Sequence, residues 1–122
     1  MLLDTNAWIE YFKGTKKGLQ VREILHSKQC YTCSISLAEL SEWIEKENID
    51  RSEKLNGVKS QSTIVFPDAR TLESAGIIKC RKRKTFKDFG MIDAIILATA
   101  KTYGLQIVTG DSHFKDENVF ML

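Results

Sequence analysis

Long apolar runs are missing from this 122-residue chain. No stretch approaches the roughly 18 residues that a membrane-spanning helix requires. The N-terminus has no basic region followed by a long apolar stretch, so a cleaved signal is not expected. The apolar start Met1-Leu2-Leu3 is instead expected to be a strand of the mature fold. Cysteines number only three, an odd count that suits reduced thiols in the cytoplasm better than a disulfide framework. Cys30 and Cys33 have a zinc-like spacing, but no second Cys or His pair completes four ligands, and both are expected to be small core residues. A Walker-type glycine loop is absent, as is any Ser-His-Asp arrangement with motif support. So are repeats, low-complexity tracts and linkers, which leaves one domain over residues 1–122.

What is present is ordinary in amount and unusual in placement. Apolar and charged fractions of 43% and 28% fit a soluble globular protein with a genuine core. Net charge is +2, but six of the basic residues fall between Lys79 and Lys87, a segment with no acid. Outside it, 12 basic residues face 16 acidic ones, a net of −4. One basic patch on a mildly acidic molecule points to a polyanion such as RNA or DNA. A solvated helix end, with cations favoured near its C-terminus, accounts for the same pattern equally well.

Strand and helix signals alternate along the chain. Strands are expected at Leu2 to Thr5, Tyr31 to Ile35, Thr63 to Phe66, Leu105 to Thr109 and Val119 to Leu122. Helices are expected at Ala7 to Lys13, Leu19 to His26, Ser36 to about Asn48, Ile49 to Val58, Ala69 to about Arg83 and Met91 to Tyr103. Ser36 is the expected N-cap of the third helix, in a capping box with Glu39. Near-continuous apolar strands separated by helices imply a mainly parallel sheet of four to five strands covered on both faces, a three-layer α/β/α domain.

Four carboxylates stand where an ordinary surface charge is hard to justify. Asp4 closes the first apolar run, Glu39 lies within Ile35-Ser36-Leu37-Ala38-Glu39-Leu40, Asp93 interrupts the apolar helix from Met91, and Asp111 follows Ile107-Val108-Thr109. Burying a lone carboxylate is costly, so such groups are usually paired, hydrogen-bonded or bound to metal. In an open parallel sheet the ends of these segments meet at one edge, where ligands bind. Hard oxygen ligands of this kind hold Mg²⁺ or Mn²⁺ and suit metal-assisted phosphodiester hydrolysis. Each acid also has a structural reading when taken alone: Asp4 as a helix cap, Glu39 as part of a capping box, Asp111 as a turn former. Asp93, among Ile92, Ile95 and Ile96, is the hardest to explain in that way.

Leu3-Asp4-Thr5-Asn6, Ser36-Leu37-Ala38-Glu39-Leu40, Asp93-Ala94-Ile95-Ile96-Leu97-Ala98 and Val108-Thr109-Gly110-Asp111 with Phe114 resemble the motifs of PIN-domain nucleases, in particular VapC-type toxins of toxin–antitoxin pairs. The likeness runs from Asp4 to Phe114, with the motifs in family order. It implies a metal-dependent endoribonuclease whose Asp4, Glu39, Asp93 and Asp111 hold Mg²⁺ or Mn²⁺, with Asn6 and Thr109 in supporting hydrogen bonds. RNA is the implied substrate, and Arg81, Lys82, Arg83 and Lys84 are expected to hold its backbone. An antitoxin peptide is the implied partner, received in an apolar groove near Trp8, Tyr11, Phe12 and Trp43, and a homodimer is expected. Two rivals remain: a PIN-like RNA-binding or assembly factor with little cleavage, and a haloacid-dehalogenase-like phosphatase. The latter needs a second Asp two residues after Asp4, where this chain has Asn6.

Overall fold

The computed structural model describes residues 1–122. Its sheet is built from β1 (Leu2–Leu3), β2 (Tyr31–Cys33), β3 (Thr63–Val65), β4 (Ile107–Thr109) and β5 (Val119–Met121), in the order β3-β2-β1-β4-β5. All four pairings are parallel, with Leu2 opposite both Tyr31 and Ile107. Six helices flank it: α1 (Thr5–Lys13), α2 (Lys16–Ser27), α3 (Ser34–Glu47), α4 (Arg51–Gln61), α5 (Ala69–Lys82) and α6 (Met91–Tyr103). The expected three-layer α/β/α architecture is therefore present.

Strand alternation divides the core in two. Leu2 and Ile107 face a cluster with Phe89, Ala94, Leu97 and Phe114 on the side of α5 and α6. Their neighbours Leu3 and Val108 face Ala7, Trp8, Val21, Leu40 and Val58 on the side of α1 to α4. Successive side chains of a strand point to opposite faces, so a two-residue β1 still serves both layers. Buried on both sides, these central strands carry no polar face.

Element ends differ from the sequence expectation where caps take over. β1 stops at Leu3 because the Asp4 carboxylate accepts the Ala7 N–H at 2.7 Å and starts α1. Asp50 and Asp68 cap α4 and α5 in the same way. Ser34 and Ile35, expected in the second strand, enter α3. The expected capping box at Ser36 does not form: Cys33 occupies the cap position without a side-chain bond, and the Ser36 hydroxyl is buried with no partner. Glu39 thus lies in the second turn of α3 rather than its first. Leu105 is drawn out of β4 because its N–H bonds to the Ala100 carbonyl past the left-handed Gly104.

The strand order reverses at β1, with β2 and β3 added on one side and β4 and β5 on the other. A crevice beyond the carboxyl ends of β1 and β4 follows from that reversal.

Candidate metal centre

Asp4, Glu39, Asp93 and Asp111 line one cavity of about 220 Å³ at this crevice, together with Asn6. Four different segments deliver them, so the acids meet only on folding.

Asp4 is the anchor. Only 4% of its surface is exposed, and its second oxygen accepts a hydrogen bond from the Thr109 hydroxyl. Thr109 in turn accepts the Asp111 backbone N–H at 2.9 Å, so one hydroxyl ties the end of β1 to the turn after β4. Burial, with repulsion from Asp111 and Asp93, raises the Asp4 carboxyl to about 7 despite the bonds from Thr109 and Ala7.

The other acids are held less deeply. Glu39 accepts the Thr5 hydroxyl at 2.5 Å, and burial with repulsion from Asp93 raises its pKa. Asp93 accepts the Gly90 N–H at 3.2 Å at the start of α6, where the helix dipole favours an anion. Its pKa is nevertheless raised, by burial first and by repulsion from Asp111. Asp111 caps the 3₁₀ turn Ser112–Phe114 by accepting the His113 N–H at 2.9 Å, and its carboxylate lies 3.0 Å from His113 Nδ1. The structural roles weighed for Asp4 and Asp111 are thus real, and both residues perform them while facing the cavity.

Ion pairs in the protein involve Lys46, Lys82, Lys101 and His113, and none reaches Asp4, Glu39 or Asp93. Burial and repulsion raise the pKa values of Asp4, Glu39 and Asp93, and with no ion pair on any of the three the cavity is a site for a positive charge. The donor set is all oxygen, which suits a hard divalent ion. No three His, Cys, Asp or Glu side chains already form a coordination cluster; the acids ring the cavity. By donor chemistry the four fit Mg²⁺ or Mn²⁺.

Thr5 escaped the sequence reasoning. It stood in the Asp-Thr-Asn motif, but only the fold brings Glu39 to its hydroxyl. Asn6 lines the cavity, and Thr109 acts by holding Asp4.

The basic segment divides. Arg81, Arg83 and Lys84 are exposed. Lys82 is turned inward: its Nζ lies 2.6 Å from Asp116 and 3.5 Å from Glu117, over the rings of Phe86 and Phe89. Arg83 Nε donates to the Phe89 carbonyl at 2.9 Å. Lys82 is therefore not a free RNA contact, because its charge is already matched; with Arg83 it fastens the turn leading to Gly90 and Asp93. Asp116 belongs to that ion pair, away from the cavity.

The aromatic set also separates. Trp8 has no exposed surface, and its Nε1 donates to Thr32 Oγ1 at 3.0 Å. It is core, not groove lining, as its position on the buried face of α1 dictates. Tyr11 and Phe12 line a groove of about 420 Å³ with Leu19, Arg22 and Lys54. Half-buried Trp43 stacks on Phe12, with ring centroids 6.2 Å apart, and does not line the groove.

A family model described as the PIN domain matches residues 1–117. Ribonuclease VapC11 of Mycobacterium tuberculosis is 30% identical over 120 residues, covering 93% of this chain and 88% of that protein. A toxin–antitoxin complex from Klebsiella pneumoniae shares the fold with a TM-score of 0.76 at 23% identity, over 98% of this chain and 95% of its counterpart. FitAcB from Neisseria gonorrhoeae superposes with a TM-score of 0.72 at 25% identity, over 98% and 95%. A match this long, on a sheet with this strand order and this acidic cavity, makes the chain a member of the PIN domain family, among its VapC-type proteins.

Proposed function

We propose that this chain is a divalent-metal-dependent endoribonuclease and the toxin component of a VapBC-type toxin–antitoxin pair. The observation that carries the proposal is the acidic cavity, whose four carboxylates are paired with no lysine or arginine. The relatives named as ribonucleases support the choice of RNA.

Asp4, Glu39, Asp93 and Asp111 would hold Mg²⁺ or Mn²⁺, which when bound makes water a better nucleophile and offsets charge growing on the phosphate. The chain's own residues keep the acids in place. Thr109 holds Asp4 and, through the Asp111 N–H, the turn after β4. Thr5 orients Glu39, and the Gly90 N–H orients Asp93. Asn6 offers an amide at the cavity wall for a phosphate or water. Arg81, Arg83, Lys84 and Lys87 of the basic segment are exposed, take part in no ion pair and are left to meet an RNA backbone.

The groove along Tyr11 and Phe12 would receive an apolar segment of an antitoxin, a helix-in-groove mode that suits aromatic walls with Arg22 and Lys54 at the rim. Solved neighbours that are toxin–antitoxin complexes support a partner of this class. Homodimerisation and a cytoplasmic site of action accompany the proposal.

Cleavage of a mixed single-stranded RNA pool tests it, with Mg²⁺, Mn²⁺ or EDTA and with Asp93→Asn beside the wild type. The expected result is cleavage that needs metal and is lost in the variant, which keeps side-chain size while removing charge. Equal activity in both proteins would remove Asp93 from the site. Binding without cleavage would favour the RNA-binding factor instead.

A further inference from the structure

We propose that Lys17, at the start of α2, is a substrate-positioning residue that binds an RNA phosphate beside the acidic cavity, over the backbone of Gly110. The proposal rests on the ribonuclease reading for its substrate. A cavity ringed by four carboxylates carries negative charge, so cations at its rim favour the approach of a phosphodiester chain. The basic segment supplies fewer of these than its composition suggests, since Lys82 is consumed by Asp116 and Glu117.

Three features of Lys17 point to this role. The first is position. A Cβ built on Gly110 would lie 2.7 Å from Asn6 Oδ1 and 3.2 Å from Lys17 Nζ, so the two side chains flank the same small space. Asn6 lines the cavity, and Gly110 immediately precedes Asp111. The second is the glycine itself. Gly110 does not have the positive φ of Gly14 and Gly104, so its backbone conformation does not demand glycine; what it provides is room for these neighbours. The third is the absence of a partner. Lys17 is exposed and takes part in no ion pair. It also sits in the first turn of α2, where no acid balances it and where the helix dipole disfavours a cation. Helix stability does not explain a lysine there. A visiting phosphate does.

The position is held firmly. Gly18 brings α2 against α1 so closely that a Cβ would fall 2.1 Å from the Glu10 carbonyl oxygen. The Thr15 hydroxyl accepts the Gly18 N–H at 3.0 Å and donates to the Glu10 carboxylate, tying the α2 cap to α1. Lys17 therefore projects from a fixed turn, beside the helix that carries Asn6.

The test measures binding of a fluorescent single-stranded RNA oligonucleotide across a salt series with Mg²⁺ present. It compares wild type, Lys17→Gln, Lys17→Glu and Lys17→Arg, with cleavage followed in the same preparations. Losing one phosphate contact is expected to weaken binding about fivefold in Lys17→Gln and to reduce the slope of log affinity against log salt by about 0.7. Lys17→Glu should weaken binding further, and Lys17→Arg should restore both affinity and slope. KM should rise while kcat changes little, and thermal stability should not fall. An unchanged affinity and salt slope in Lys17→Gln would overturn the proposal, as would a loss explained by a lower melting temperature. If the wild type binds RNA with the Lys17-dependent slope but cleaves nothing, the ribonuclease reading fails and the phosphate contact stands.

Discussion

Replacing Asp4 with Asn should stabilise the metal-free protein at neutral pH while abolishing its activity. In the folded protein, burial raises this carboxyl from 3.8 to about 7. Folding therefore holds the proton on Asp4 through a pH range in which the unfolded chain has released it. The folded state binds more protons there, so stability falls as pH rises from about 4 to about 7. The full loss is about 4 kcal/mol, more than half of which falls between pH 5 and pH 7.5. Asn removes this titration but keeps an oxygen to accept the Ala7 N–H. It no longer accepts from the Thr109 hydroxyl, a loss of about 1 kcal/mol. The net expectation in EDTA is a variant about 3 kcal/mol more stable than wild type at pH 7.5, or about 10 °C in Tm, and within about 1 kcal/mol of it at pH 5. Thermal melts at both pH values measure it. Adding Mn²⁺ at pH 7.5 should then raise the Tm of the wild type and leave the variant almost unmoved. A difference between the two proteins that does not change with pH would refute the reasoning.

Two further substitutions probe the supports around the site. Gly18→Ala should destabilise the protein by about 3 kcal/mol despite the better helix propensity of alanine, because its Cβ meets backbone atoms of Glu10 that cannot rotate away. A urea midpoint at or above that of wild type would contradict the close α1–α2 approach. Phe12→Ala should weaken binding of the proposed antitoxin at least about 30-fold while leaving RNA cleavage intact, since Phe12 lines the groove and not the cavity. Isothermal titration checks the first effect and the RNA assay the second; an undiminished affinity would move the antitoxin site elsewhere.

Much of this architecture is local in origin. The apolar helix from Met91 to Tyr103 with its left-handed Gly104 could be read residue by residue, because periodicity and the C-cap are both short-range. Ser36 could not. A Ser three residues before a Glu is a sound capping signal, but α3 begins at Ser34, directly off the strand, and leaves Ser36 buried inside it. The basic run from Lys79 to Lys87 was visible as charge, yet Lys82 finds its acids 34 and 35 residues away. Aromatic composition likewise could not separate buried Trp8 from Phe12 in the groove, four positions along the same helix.

By itself, the sequence determined the alternation of strand and helix, the parallel character of the sheet and the identity of four acids at the ends of apolar segments. These follow from hydrophobic period, caps and the cost of an unpaired buried charge, all of which act over a few residues. Only the tertiary structure decided that Thr109 grips Asp4, that Thr5 holds Glu39, that Lys82 turns inward and that Lys17 comes to rest over Gly110. Those contacts join residues far apart in the chain, and which of them form depends on strand order and helix docking. No local pattern encodes that, because the energy of each contact exists only once β1 and β4 lie side by side.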